Sequence, residues 1–192
     1  MLGTPTRDRK AERRAAVRRE ILDAAWDIAR ESGLTQITLR DVAARIGMQA
    51  PSLYTHFDSK MAIYDAMFAE AWDDYGSNLD ELDAALSAHP RTALHQISHH
   101  FYDYAIADHP RYQLMNERVI PGFEPTAASY TLAERVYAHG AEILARAGLT
   151  EPADIDLWTA VLSGLATQQV SNDPGGDRWV NLVDRAVDLL LD

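Results

Sequence analysis

The chain has 192 residues, 47% of them apolar, no cysteine and a formal net charge of −11, which suits a globular protein with one substantial core or two small ones. The lack of cysteine excludes disulfides, thiolate metal ligation and thiol redox sensing. No window approaches the roughly 18 consecutive apolar residues of a membrane helix, and the basic N-terminal stretch is not followed by an apolar segment, so the expected location is the cytoplasm.

An acidic balance argues against nucleic acid as a partner, but the charge is unevenly placed. Residues 1–60 hold 11 Lys/Arg against 8 Asp/Glu, whereas residues 61–192 hold 7 against 21. The first 19 residues alone carry a net +5, so DNA binding remains open to the first third of the chain.

In chain order, residues 1–14 read as a flexible basic arm, punctuated by Gly3 and Pro5 and carrying Arg7, Arg9 and Lys10. A helix follows in which Val17, Ile21, Ala24, Ala25, Ile28 and Ala29 recur at helical spacing, closed by Gly33. Arg13, Arg14, Arg18 and Arg19 crowd its N-terminal end, where they form either a solvated face or a set of phosphate or minor-groove contacts. Thr38 then N-caps a short helix, LRDVAARI, with Asp41 in its first turn, and Gly47 ends it. A second short helix begins with Pro51 in its first turn, where the missing N–H costs nothing, and Leu53 anchors it. Two short helices about a glycine turn make a helix-turn-helix over residues 38–57.

The order Thr38, Val42-Ala43, Gly47, Leu53-Tyr54, His56-Phe57 and Lys60, preceded by Ala24-Ala25 and Gly33, resembles the DNA-binding region of TetR-type transcriptional regulators over roughly residues 15–75. The resemblance implies that the second short helix enters the major groove of a double-stranded DNA operator. Tyr54, His56 and Lys60 would then contact phosphates, while Gln49, Ala50, Pro51, Ser52 and Thr55 face base edges and Thr38 and Arg40 complete the interface. Gln49 stands where the family usually has a Ser or Thr cap.

Beyond Phe57, Ser59 caps a helix from Lys60 to about Tyr75, with Met61, Tyr64, Met67, Phe68, Ala71, Trp72 and Tyr75 inward. Gly76-Ser77-Asn78 predicts a break, followed by a short helix through Leu79, Leu82 and Leu86. Helices are expected over residues 91–108, 111–119 and 126–147, the last with Ala133, Val136, Tyr137, Gly140, Ile143 and Leu144 inward. One more opens at Pro152, and after the turn at residues 172–176 a final helix is capped by Asp177 and carries Trp179, Val183, Ala186, Val187 and Leu190. No strand-like alternation is present. The class is all-α, with about nine helices: a three-helix head within residues 15–75 and a C-terminal helical ligand-binding and dimerisation domain over residues 76–192.

The middle helices are rich in aromatic groups. Trp72, Tyr75, Phe101, Tyr104, Met115, Tyr130, Tyr137 and Trp158, with Ile97 and Leu162, are each ordinary core residues singly. Together they fall where TetR-type proteins hold a small-molecule effector, with His100 and Gln169 as polar contacts. Gln169, on a helix expected to be buried, needs a partner from a ligand or another subunit. The resemblance also implies a homodimer through the last two helices, about residues 153–191, where Ala160, Ser163, Gly164 and Thr167 permit close approach. His95 and His99, four residues apart, suit a metal in principle, but no carboxylate pattern completes a site. No nucleophile elbow or phosphate loop is present, so neither catalysis nor a cofactor is expected. The alternative class is a helical small-molecule or metal-binding protein, or an enzyme, with a vestigial helix-turn-helix.

Overall fold

Every regular element that the computed structural model describes, over residues 9–191, is helical. In order these are α1 (Arg9–Ser32), α2 (Leu39–Arg45), α3 (Ala50–Leu53), α4 (Lys60–Ala85), α5 (Pro90–Ala107), α6 (His109–Asn116), α7 (Ala127–Arg146), α8 (Pro152–Asn172) and α9 (Val183–Leu191), with single 3-10 turns at Leu34–Gln36 and Val180–Leu182. Helix α1 starts at Arg9, so residues 9–14, expected in the arm, are helical. The rest of that arm, residues 1–8, lies outside the described residues. No described helix is long and apolar enough to cross a membrane.

The local signals of the head act as their chemistry requires. The Thr38 hydroxyl accepts the Asp41 N–H at 3.1 Å and donates to the Asp41 carboxylate at 2.5 Å, so the N-cap hydroxyl is held on both sides. At the other end of α2 the Met48 N–H reaches the Ala43 carbonyl at 2.8 Å and the Gly47 N–H that of Ala44 at 3.2 Å. This double bond pattern needs a left-handed residue, and Gly47 supplies it with φ 68°. Ser59 accepts the Ala62 N–H to start α4.

Two apolar clusters result. The first packs Ile21, Trp26, Ile37, Val42, Leu53, Phe57 and Ile63 with Leu114 and Ile120 of the body. Within it the Tyr64 hydroxyl donates to the Leu34 carbonyl at 2.6 Å, and burial pushes that phenol up to about 12. The second joins α5, α7, α8 and α9 around Leu94, Ile97, Tyr102, Ile143, Trp158 and Leu162. Helix α4 lies along α7 and α5 along α8, while α9 closes against α5 and α8. Trp72 touches both clusters.

Three expectations are corrected. Helix α4 runs through Gly76-Ser77-Asn78 without a break. Ser77 donates to the Asp73 carbonyl at 3.0 Å and Asn78 to that of Asp74 at 2.7 Å, so both polar side chains fold back onto the preceding turn of the helix. Gly76 is there for space, because a Cβ would stand 2.9 Å from Val136 Cγ2 of α7. Met61 and Tyr137, expected inward, are 41% and 54% exposed. The final helix begins at Val183 rather than after Asp177. The Trp179 N–H is held by the Gln169 side chain at 3.1 Å and the Arg178 N–H by Asp173 at 2.9 Å, which fixes that segment as a turn against the end of α8.

Replacing Gly76 with Ala should lower the melting temperature. The overpacking against Val136 costs about 1–3 kcal/mol, more than the roughly 1 kcal/mol that Ala gains over Gly in a helix. Thermal denaturation of Gly76→Ala and of Gly76→Ala/Val136→Ala checks this, with the second change expected to restore most of the loss.

Candidate nucleic-acid interface and interior cavity

Helix α3 and the turn after it are built to be held from below and left free above. Leu53 is fully buried and Phe57 nearly so, while Gln49, Pro51, Tyr54 and Thr55 between them are exposed. Gln49 makes no side-chain cap bond. The exit from α3 is fastened by α1: Arg14 donates to the Thr55 carbonyl at 3.3 Å, Arg18 donates to that of His56, and the Arg18 guanidinium lies 3.9 Å from the centroid of the Phe57 ring. Two of the four arginines read as a solvated face or as DNA contacts therefore position the recognition segment. Arg13 and Arg19 stay exposed.

Of the other residues expected at this surface, Arg40 is exposed while Ala50, Ser52, His56 and Lys60 are half-buried. The Thr38 hydroxyl is committed to Asp41 on both its donor and acceptor sides. Thr55 donates to the Ser52 carbonyl at 2.8 Å, and the Lys60 ammonium lies 3.5 Å from the Thr35 carbonyl and 5.3 Å from the centroid of the Tyr64 ring.

Inside the body, residues of α4 to α8 line a cavity of about 80 Å³ that is open in part to solvent. Trp72, Tyr75, Phe101, Tyr104, Met115, Tyr137 and Trp158 of the expected set line it. Ile97 and Leu162 lie in the core instead, and His100 stands behind the wall, stacked on Tyr75 at 5.8 Å. Tyr130 lies outside, on a groove of about 470 Å³ whose wall shares Trp72, Met115, Asn116 and Tyr137 with the cavity.

Gln169 is buried but its partners belong to its own chain. It accepts from the Tyr102 hydroxyl at 3.0 Å and from the Trp179 N–H, and donates to the Asp173 and Gly176 carbonyls. The expectation of a ligand or a second subunit as its partner is corrected: Gln169 closes the α8–α9 turn. The sequence reading missed Tyr112, Asn116, Ile155 and Thr159 on the cavity wall. Tyr112 lies three residues before Met115, at the spacing that shares a helix face, and that was the available signal.

His95 and His99 face the carboxylates of α9. His95 stands 2.8 Å from Asp184 and 2.9 Å from Asp188, and His99 stands 2.8 Å from Asp184. These two hydrogen bonds hold the Asp184 carboxyl below its ordinary range.

Between cavity and head lies a polar junction that sequence spacing could not display. The Arg111 guanidinium sits 4.7 Å from the centroid of the Trp26 ring, with Asp74, Asp108 and Glu70 at 3.5, 3.6 and 3.7 Å. The Trp26 indole donates to Glu70 at 2.8 Å, and Arg30 pairs with Asp108 at 2.7 Å. On the cavity side the Tyr104 hydroxyl lies 3.1 Å from the Ala71 carbonyl, 3.3 Å from Asp74 and 3.8 Å from Met115 Sδ. Contacts thus run from the wall residues Met115 and Tyr104, through Asp74 and Arg111, to α1 and its grip on α3.

Residues 21–67 match the family model described as bacterial regulatory proteins, tetR family. Its head, and only its head, carries the sequence pattern of that family. Among curated relatives, the class D tetracycline repressor protein of Escherichia coli is 36% identical over 53 residues, 28% of this chain and 24% of the repressor. The chain therefore spans about a quarter of that relative's length. Solved structures extend the likeness of fold to the whole chain. The putative regulatory protein SCO4313 aligns over 98% of this chain and 99% of its own with TM-score 0.76 at 22% identity. The FadR regulator of Bacillus subtilis, solved with stearoyl-CoA, aligns over 91% and 97% with TM-score 0.67 at 19% identity. The family model matches the head alone, and the likeness over the whole chain, at 22% identity or less, is one of fold.

Replacing Arg111 with Met, which keeps the stem volume but removes the cation, should destabilise the chain by about 1–3 kcal/mol, the sum of a cation–π contact of about 0.5–2 kcal/mol and weak ion pairs of about 0–1 kcal/mol each. That corresponds to a loss of several degrees in melting temperature for a chain of this size. Scanning calorimetry measures it, and a melting temperature equal to wild type would show that the junction holds nothing.

Proposed function

We propose that this chain is a ligand-responsive transcriptional repressor that binds a palindromic DNA operator as a homodimer and leaves it when a small molecule occupies the interior cavity. In this reading, residues 15–75 form the DNA-binding region, residues 76–192 form the effector-binding and dimerisation domain, and no catalysis is involved. The observation that carries it is the exposed edge of Gln49, Pro51, Tyr54 and Thr55 on a segment pinned by Leu53 and Phe57 and gripped by Arg14 and Arg18. A recognition element must combine fixed placement with free base-reading groups, because phosphate contacts set register while base contacts specify. The match of the head to a family of bacterial regulators supports the same reading.

Dimerisation is supported by the outer face of the last helices. Leu157 and Leu189 are 52% and 66% exposed, and Ala160 and Gly164 leave a shallow strip between turns of α8. A two-fold protein suits a two-fold operator. Release requires that the effector favour the DNA-incompetent arrangement, since equal affinity for both would shift nothing. The Arg111 junction provides a physical path for that bias.

On operator fragments selected from random DNA, Lys60→Ala should weaken binding to all sequences and lower the salt slope by about one unit, whereas Gln49→Ala should change which bases are preferred. Wild-type affinity and preference in both variants would refute the assignment of α3. A chain with no salt-dependent DNA binding at all would favour the helical ligand-binding protein with a vestigial helix-turn-helix.

Gly164→Ala separates dimer from monomer. A Cβ at Gly164 meets no atom of its own chain within 4 Å, so an isolated chain should gain about 1 kcal/mol of helix propensity. A second copy packed on α8 would instead be pushed away. Sedimentation should show weaker dimerisation in the variant, and an unchanged dimer would move the interface elsewhere.

A further inference from the structure

The polar inventory of the cavity is unbalanced. Trp158 donates its indole N–H to Ser98 at 2.8 Å and Tyr112 its hydroxyl to Ser163 at 2.8 Å, while Tyr104 is engaged as described above. The Trp72 indole nitrogen is buried without a hydrogen-bond partner among the described residues, and Trp72 is on the cavity wall. A buried donor left unsatisfied costs roughly 1–3 kcal/mol, so an acceptor from outside the chain, water or ligand, would be favoured there.

The same wall excludes charge. None of the described residues lining the cavity is Asp, Glu, Lys, Arg or His. Burial raises the phenols of Tyr75, Tyr104 and Tyr112 above their ordinary value, which keeps them neutral. An anion or cation would be desolvated here without a counter-charge. Seven of the fifteen described lining residues are aromatic, so a flat ring would meet edges and faces on several sides.

Size narrows the class further. A cavity of about 150 Å³ accepts benzene, and this one holds about 80 Å³. A single ring fits only if a wall residue yields. Met115, unbranched and shared with the outer groove, is the side chain suited to yield. The inner wall offers neither length for a long acyl chain nor a cation for a phosphate, which sets it apart from the stearoyl-CoA held by the FadR neighbour.

We propose that the cavity selects small, uncharged, ring-bearing molecules with one hydrogen-bond acceptor, a carbonyl or ether oxygen that takes the indole N–H of Trp72. This rests on the reading of the cavity as the effector site.

Three molecules of one shape test it on the full chain: acetophenone, its hydrocarbon isostere α-methylstyrene, and benzoate. The four tryptophans give separate indole N–H signals in a nitrogen-15 proton correlation spectrum. Acetophenone should move one of them downfield, α-methylstyrene should not, and benzoate at equal concentration should leave it in place. The signal that moves should be the one missing in Trp72→Phe. That variant should also lower the affinity ratio of acetophenone to α-methylstyrene by about fivefold, the worth of one hydrogen bond. Should the variant not fold, the contrast between ketone and hydrocarbon in the wild-type spectrum decides alone.

The proposal is overturned if benzoate binds as tightly as the ketone, if another tryptophan reports the shift, if the ratio is unchanged, or if none of the three binds. Operator binding measured with and without the probes keeps the two readings apart. DNA binding with no probe bound overturns the ligand class and leaves the regulator. A bound ketone with unchanged operator affinity overturns the effector role and leaves the ligand class.

Discussion

The polar contact that joins head and body is the Arg111 guanidinium laid on Trp26 and ringed by Glu70, Asp74 and Asp108. Its strength is modest. A cation over an indole contributes about 0.5–2 kcal/mol, and exposed ion pairs about 0–1 kcal/mol each. Both Glu70 and Asp74 are substantially solvated, so the pairs fall at the low end. The total is a few kcal/mol, well below what the two apolar clusters supply, and close to the coupling energies of 1–3 kcal/mol typical of allosteric proteins. A junction of that size can hold the head in one arrangement and still yield to a ligand, whereas an apolar join of the same area could not be switched so readily.

The head's electrostatics follow from the same economy of contacts. The positive charge of the first 19 residues invites a simple reading in which every arginine meets a phosphate, yet Arg14 and Arg18 are committed to the carbonyls of Thr55 and His56. They fix the recognition turn through guanidinium hydrogen bonds to its carbonyls. The charge remains near the expected DNA surface and still contributes to its potential. In such a head positioning and attraction are properties of the same side chains, and charge counting alone cannot separate them.

How much of this was legible in sequence depended on the range of the interaction. Thr38, Gly47, Pro51 and Ser59 act within one turn of chain, and their roles in the helix-turn-helix could be read directly from residue type and spacing. Gly76-Ser77-Asn78 was misread because the same letters serve a turn or a tight helix crossing. The choice was made by Val136, sixty residues away, and by back-bonding to Asp73 and Asp74. Gln169 was correctly expected to be buried and to need partners, but a sequence shows no distances, and the Asp173 to Trp179 turn that satisfies it depends on the chain reversing there. On the cavity wall, the large aromatics could be inferred from composition. Asn116, Ile155 and Thr159 could not, since nothing in their local pattern separates a cavity from a filled core.

On the proposed reading, the cavity's small volume bears on how occupancy and DNA binding would be linked. A large preformed pocket could fill without disturbing its surroundings, and a ligand bound there would favour neither arrangement of the head. At about 80 Å³, this cavity cannot accept a ring without displacing Met115 or its neighbours, and Met115 lies against the Tyr104 hydroxyl that also reaches Asp74. Occupancy and the junction therefore compete for the same few ångströms. On that reading, part of a ligand's binding free energy would be used in moving them, which would lower its apparent affinity. The same displacement is what makes binding differ between the two arrangements, and only a difference of that kind can shift them.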